Sequence, residues 1–433
     1  MRITAAATAS TTQVMLPVLL IGGLAALIRV ELPAFDEARL GLTVSAFFAA
    51  TALTSVPAGR FCERHGARLA LLVAAAVATT AMLVFAVAPG VWWVLAASVV
   101  AGAANGVGQP AANLGLARGV RRRRQGLAFG MKQSAIPIAG LIAGLAVPLV
   151  GLTLGWRVTF ALAAALAIPV VLLVPRSPAT AAPSATPTVG DDADRPTPAD
   201  DGGRPEPTSD GVGGDPAQRP VPNPDTADDA TASPDAPRRA LLAVSAAAGF
   251  GSAAANTLGA FLVLTVVAAG HDEGFGGYLL ALGSLSGVIT RLVVGWLADR
   301  RSGGHLGVVI GMLLVGTVAF AILASGPTSA AVLALATVIG FSAGWGWPGL
   351  LIYTVVRLHP TRPGAASGVM AAGAAIGGVL GPLAFGQIAS RAGFAPAWIF
   401  AAGLALAAVV LLLRGRAEVR RAIAEGRLIP PGG

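Results

Sequence analysis

One stretch of the chain is written twice, and that repetition restricts its folds more than any other feature. Gly102-Ala-Ala-Asn105-Gly106-Val-Gly108-Gln109-Pro110 returns as Gly340-Phe-Ser-Ala-Gly344-Trp345-Gly346-Trp347-Pro348, glycines and proline in register at an offset of 238 residues (340 − 102). Arg124-Gln-Gly126-Leu-Ala128-Phe-Gly130 is matched at the same offset by Arg362-Pro-Gly364-Ala-Ala366-Ser-Gly368, and the register still holds at Gly140 and Gly378. Chance can pair single glycines in a chain holding 56 of them, but not keep one register across two apolar segments and their loop. The chain is therefore two homologous halves.

Each half is built to live in lipid. The composition is 55% hydrophobic and 12% charged, with a mean hydropathy of +0.73, whereas soluble domains carry about 25% charged residues. A spanning helix needs about 20 mainly apolar residues. On that ruler the first half holds spans at 14–34, 43–61, 69–88, 91–117, 126–150 and 156–174. The second half holds them at 240–269, 274–298, 306–324, 329–356, 364–389 and 394–413. Backbone groups in hydrocarbon find no water, so every span must be helical. The expected fold is an all-α membrane protein of twelve helices in two pseudo-symmetric six-helix bundles, 1–174 and 240–413, with a tail at 414–433.

The net charge of +9 is distributed as a topology signal. Alternate loops carry Arg60, Arg64 and Arg68; Arg118 and Arg121 to Arg124; Arg300 and Arg301; Arg357 and Arg362; then Arg414 to Arg427. The opposite loops hold little beyond Arg39 and Arg391, with Asp36, Glu37, Asp272 and Glu273. This positive-inside pattern predicts cytoplasmic termini and a bacterial-type inner (plasma) membrane, and it argues against nucleic acid as a partner. One cysteine, Cys62, forms no internal disulfide, and four scattered histidines build no metal centre. Residues 1–13 are short and polar, and the first span is retained rather than cleaved. No catalytic motif or nucleotide-binding loop is present, so neither an enzyme, a cofactor nor an ATP-driven pump is expected.

Between the halves, residues 175–239 change character. They are dense in proline, aspartate, threonine and glycine, and they carry 12 of the 21 acidic residues. Such a segment cannot bury enough apolar surface to offset chain entropy, and is expected to be a disordered cytoplasmic linker.

The loop after the second span reads Gly59-Arg60-Phe61-Cys62-Glu63-Arg64-His65-Gly66-Ala67-Arg68. It resembles the signature loop of the major facilitator superfamily, Gly-x-Leu-x-Asp-Arg-x-Gly-x-Arg, with conservative changes. Gly295-Trp296-Leu297-Ala298-Asp299-Arg300 repeats it in the second half. The resemblance covers all but the linker and implies two bundles rocking around a midplane site. It also implies an inner gate at Gly59, Glu63, Arg64, Gly295, Asp299 and Arg300, where glycines allow close helix approach and charges pair in one state only. Topology-setting charge alone accounts for the arginines, but not for glycine and acid at matched places.

Polar side chains inside spans are costly and face a cavity or a neighbouring helix. Asn105, Gln109 and Asn113 follow at i, i+4 and i+8 on one stripe of the fourth span. The resemblance implies that the fourth and tenth spans line the cavity. The tenth offers Trp345, Trp347 and Tyr353, and the seventh offers Asn256 and Thr257. Interhelical hydrogen bonding is the plainer role for each of these.

The intramembrane cations are more specific. The only lysine, Lys132, lies beside Gln133 about 10 Å into the fifth span. Arg291 sits at comparable depth in the eighth, and no acid except Glu31 lies within any span. The missing partner points to an anionic or strongly hydrogen-bonding solute, with Lys132 the leading contact and Arg291 second. Structurally, both can instead satisfy carbonyls at helix ends or serve the gate.

A secondary transporter of a small organic, anionic solute is the reading these features support. Symport and antiport are both open, and a coupling proton would need Lys132, Glu31 or the substrate to carry it. One alternative is a multidrug efflux antiporter, but the fifth span, Gly140-Leu-Ile-Ala-Gly144-Leu-Ala-Val-Pro148, lacks the Gly-Pro of such exporters. Gly381-Pro382 lies in the eleventh span instead, where Gly373, Gly377 and Gly381 predict close helix packing. The other alternative is a membrane sensor or scaffold that transports nothing.

Overall fold

A computed structural model describes residues 2–175, 235–300 and 304–428, with side chains omitted at 122–127 and 299. Residues 176–234, most of the expected linker, lie outside the described residues, as do Arg301 and 429–433.

Ten helices among the described residues are long and apolar enough to cross a membrane, and two are too long for one crossing. Glu37–Ala86 has 50 residues and Ala128–Leu173 has 46. At 1.5 Å per residue the first would extend about 75 Å, against a hydrocarbon core of ~30 Å. Each is broken by a glycine in the left-handed region, Gly66 (φ 83°) and Gly155 (φ 86°), where a Cβ would be strained.

Packing partners show that the chain reverses at both. Along Val91–Gly119, Gly102 lies against Phe47 and Gly106 against Thr54, numbers rising together. Gly108 then meets Ala74 and Gly115 meets Ala67, numbers now running oppositely. Along Arg2–Glu31, Thr12 reaches the Ala135 carbonyl and Gly151 lies against Leu24, whereas Glu31 pairs with Arg157 and Arg2 reaches the Leu172 carbonyl. With each of the two long helices counted as a pair, the ten candidate spans among the described residues amount to twelve candidate crossing segments. The repeat is also written in the backbone. Gly304 (φ 83°) and Gly393 (φ 84°) stand 238 residues after Gly66 and Gly155 (304 − 66; 393 − 155).

The ends of the chain differ from expectation. The first helix starts at Arg2, not near residue 14, and Ser10, Thr11 and Gln13 are completely buried. A hydropathy window rejects this stretch because its small residues are polar, yet small hydroxyl side chains suit a helix enclosed by other helices. The last helix, Phe394–Ala424, runs on through the expected tail. Gly415, Val419 and Ala422 bury one stripe of that extension, while Arg414, Arg420 and Arg421 stay exposed.

Where the chain re-enters at Asp235, it is fastened to the loop between the tenth and eleventh spans. The Asp235 carboxylate accepts from the Thr361 N–H (3.0 Å) and hydroxyl (2.5 Å), and the Ala236 N–H donates to the Leu358 carbonyl (2.9 Å). Partial burial alone would raise this carboxyl, but the Thr361 bonds, with His359 and Arg362 nearby, outweigh it and hold the group below the usual aspartate value. A depressed folded-state pKa gives stability that is present above the unfolded value and fades as pH falls through the folded one. The attachment is therefore expected to persist at pH 5 and to release only in stronger acid. Hydrogen exchange at Ala236 and Thr361 checks this, and early release at pH 5 would contradict it.

The two halves meet tightly at one end only. Away from the arginine-rich loops a single hydrophobic cluster joins Phe47, Phe85 and Trp156 to Phe261, Phe341 and Phe385. Toward those loops the clusters separate, with Leu71, Leu116 and Val170 in the first half and Val244, Leu313 and Leu412 in the second.

Glycines make the closed end. A Cβ on Gly22 would lie 2.7 Å from the Ala260 carbonyl oxygen, joining spans one and seven. Gly144 would lie 2.6 Å from the Gly277 carbonyl oxygen, joining five and eight, and Gly41 abuts Pro382 and Gly386, joining two and eleven. At the arginine-rich end of spans two, five, eight and eleven, by contrast, Gly59, Gly130, Gly295, Gly364 and Gly368 have nothing within 4 Å. The molecule is closed at one end and parted at the other. The expected packing at Gly373, Gly377 and Gly381 is present, against Ser245, Gly249 and Ala253 of the seventh span.

Candidate functional site

The fourth and fifth spans carry a buried polar chain. Lys132 is 4% exposed and donates to Gln109 Oε1. Gln109 Nε2 donates to Asn105 Oδ1 (3.1 Å), and Asn105 Nδ2 to the Thr51 hydroxyl (3.2 Å). Thr51 in turn donates to the Phe47 and Gly102 carbonyls. Asn105 and Gln109 lie one turn apart on one helix face, which is what lets them hand the bond along. No carboxylate among the described residues pairs with Lys132. Asn113, on the same stripe, is exposed and makes no hydrogen bond among the described residues.

Arg291 has a different role from Lys132. Its guanidinium donates to the Gln133 carbonyl (2.7 Å) and the Trp345 carbonyl (3.0 Å), and its Nε has no partner among the described residues. Both carbonyls are available for a reason visible in the sequence. Pro137 lacks the N–H that would bond Gln133 four residues earlier, and the fifth span breaks there between Arg122–Gln133 and Ala135–Ala146. The tenth span runs through a π-helical turn, Gly340–Gly344, and stops before Pro348, which leaves Trp345 outside any helix. Arg291 thus ties two interrupted helices across the halves. This is the helix-end role that sequence left open, and Gln133 enters through its backbone.

A pocket lies between the halves, about 240 Å³ of empty space with its mouth included. Met15, Val18, Leu19, Val44 and Phe48 line it from the first half, and Asn256, Ala260 and Trp345 from the second. Asn256 makes no hydrogen bond among the described residues. Gly378 backs the pocket; a Cβ there would approach the Phe48 ring (3.0 Å) and the Asn256 amide (3.4 Å). The first span links pocket and polar chain. Thr12 reaches Ala135, three residues past Lys132, and Met15 and Leu19 follow on the same face.

The remaining expected residues fall elsewhere. Tyr353 packs edge-on against His305 and accepts from Arg357, within the arginine-rich part of the second half. Trp347 is buried and donates to the Gly344 carbonyl, and Thr257 to the Ala254 carbonyl. At the expected gate, Glu63 and Arg64 are exposed, and Arg300 stacks on Trp296 (3.7 Å). The close approach expected of Gly59 and Gly295 is absent from this conformation, because the bundles are parted there. The side chain of Asp299 lies outside the described residues. Glu31, an expected proton carrier, is half exposed at the closed end and paired with Arg157, while Arg29 pairs with Glu37 (2.6 Å). Sequence reasoning missed Phe48, Met15 and Leu19, which carry no polar mark, and Thr51, whose hydroxyl was visible but unremarkable among Thr54 and Ser55.

Two helical halves sealed at one end, parted at the other and enclosing a central site define a polytopic membrane carrier. The family model described as Major Facilitator Superfamily matches residues 2–326 and 241–430, and the chain belongs to that family of secondary transporters. Among solved structures, a mutant of the nucleoside transporter NupG is similar over 96% of this chain and 100% of that one (TM-score 0.68, 16% identity). A bacterial homolog to the human lysosomal transporter Spinster, inward-facing and occupied, is similar over 98% and 97% (TM-score 0.64, 16% identity). At that identity the likeness is one of fold. No curated protein matches the chain.

Proposed function

We propose that the protein carries a small organic anion across the bacterial inner membrane by alternating access, with Lys132 as the anion's contact. One observation carries the reading. The only lysine of the chain is buried in a span, and its one side-chain partner among the described residues is the neutral Gln109 amide. A buried cation is stable only when paired, so a site of this kind awaits an anion. With the arginine-rich loops on the cytoplasmic side, this conformation opens its site inward.

The test is uptake of organic anions into proteoliposomes, with binding followed by thermal shift. Lys132→Ala is expected to weaken the anion by about 2–3 kcal/mol, or roughly 30- to 150-fold, since it removes one member of a buried charged pair. Lys132→Arg is expected to retain part of the affinity. Unchanged affinity in a Lys132→Ala protein that still inserts and folds would overturn the proposal.

A further inference from the structure

The polar chain that ends at Lys132 has a direction, and both of its ends fix it. An ammonium only donates, so Gln109 must turn its Oε1 to Lys132 and its Nε2 to Asn105 Oδ1 (3.1 Å). Asn105 is then left with Nδ2 for the Thr51 hydroxyl (3.2 Å). At the far end the Phe47 and Gly102 carbonyls only accept, so the hydroxyl donates to them (2.9 and 3.0 Å) and takes the Asn105 bond on its oxygen. Every donor points from the lysine toward span two, and no link reverses without reversing the rest.

Glycine brings the last link within reach. A Cβ on Gly102 would collide with the Phe47 carbonyl oxygen, and one on Gly106 would lie 2.8 Å from that of Thr51, so spans two and four touch backbone to backbone there. The repeat keeps these glycines and drops the chain. Gly102 and Gly106 return as Gly340 and Gly344, but Asn105, Gln109 and Lys132 return as Ala343, Trp347 and Met370 (343 − 105, 347 − 109 and 370 − 132 are all 238). Thr51 returns as Gly287 in the register of Gly59 and Gly295 (287 − 51 and 295 − 59 are both 236). Trp347 and Met370 are buried. The second half is thus packed at these places without polar groups, and the chain of the first half serves something other than packing.

Building on the proposed function, we infer that Thr51 is a positioning residue for the anion site, acting on Lys132 through Asn105 and Gln109. An ammonium has three N–H groups. The chain holds one of them and so aims the others, which meet no acceptor among the described residues. Without the Thr51 hydroxyl, the buried Asn105 would keep a donor with no acceptor. Turning that amide over sets a donor against Gln109 Nε2, and turning Gln109 in response sets a donor against the ammonium. A loss at Thr51 is therefore felt at Lys132, across all the bonds between them.

The test uses the fact that Lys132 is the only lysine. Labelling with 15N-lysine gives the full-length protein in bilayers a single ammonium signal by NMR. Thr51→Val, with Thr51→Ala as a second variant should valine not fit, is expected to shift that signal as Gln109→Leu does. Thr51→Ser should keep it in place, and so should Thr54→Val, whose lost hydroxyl bonds only within span two. Titration with acetate, benzoate and succinate then reads the anion contact. At least one should move the parent signal, and Thr51→Val should bind that anion about tenfold more weakly. An ammonium signal unmoved in both Thr51→Val and Thr51→Ala would overturn the positioning role, whatever the anions do. If Thr51→Val binds the anion as tightly as the parent, the role is overturned and the anion site stands. If no anion moves the parent signal, the anion site itself falls, and the role of Thr51 there falls with it.

Discussion

A Gly41→Leu, Gly144→Leu double variant is expected to lose transport and to open at the end that is now sealed. Ordinary van der Waals contact begins near 3.4 Å, yet a Cβ on Gly144 would stand 2.6 Å from the Gly277 carbonyl oxygen, and Gly41 is equally crowded by Pro382. The obstructing atoms are backbone, so they cannot rotate aside. Overpacking of this kind costs about 1–3 kcal/mol per site and sometimes more. Moving a two-state equilibrium from 99:1 to 1:99 takes about 5.5 kcal/mol, so both seams together can invert the population where one only shifts it. In a Cys62→Ser background, Val44→Cys in the pocket wall reports the outcome. A membrane-impermeant maleimide applied from the sealed side should label the double variant and not the parent. Gly59→Leu, with nothing within 4 Å, should leave labelling at the parent level. Equal labelling of the double variant and the parent would show that these glycines do not make the seal.

The repeat thereby acquires a mechanical meaning. Spans two, five, eight and eleven meet through glycine at one end and stand free at the other, and matched glycines occupy both ends. Gly140 faces Ser284 of the eighth span, and its counterpart Gly378 faces Phe48 of the second. Equivalent positions in the two halves therefore face the opposite half, as expected if closure at either end reuses one design.

How much of this the sequence disclosed depends on the kind of signal. Apolar length and arginine loops made the spans legible, and glycines at a fixed offset made the halves legible. Gly66 and Gly155 were visible as glycines, but their left-handed turns depend on the backbone reversing there. The start of the first span was missed because Ser10, Thr11 and Gln13 are polar yet buried by neighbouring helices. At the site, Lys132, Gln109 and Asn105 stood out because polarity in lipid is rare. Phe48, Met15 and Leu19 did not, since an apolar residue in a span looks alike whether it faces lipid, core or pocket. Tyr353 was drawn in by its polarity and lies instead beside His305.

Arg291→Met is expected to destabilise the protein by about 3 kcal/mol, lowering Tm by roughly 4 °C for a chain of this length. Hydrogen bonds to charged groups contribute ~1.5–3 kcal/mol each, and Arg291 makes two, to Gln133 and Trp345. Relief from burying the guanidinium offsets part of that sum. Arg291→Lys should recover little, because one ammonium lacks the planar fork that serves two carbonyls at once. The sharper test uses Pro137. Pro137→Ala supplies the missing N–H to the Gln133 carbonyl, so in that background Arg291→Met should cost about 1–2 kcal/mol less. Strict additivity of the two substitutions would mean that the Gln133 carbonyl is not what Arg291 holds. A coupled pair would instead show that a proline in the first half and an arginine in the second are two parts of one joint.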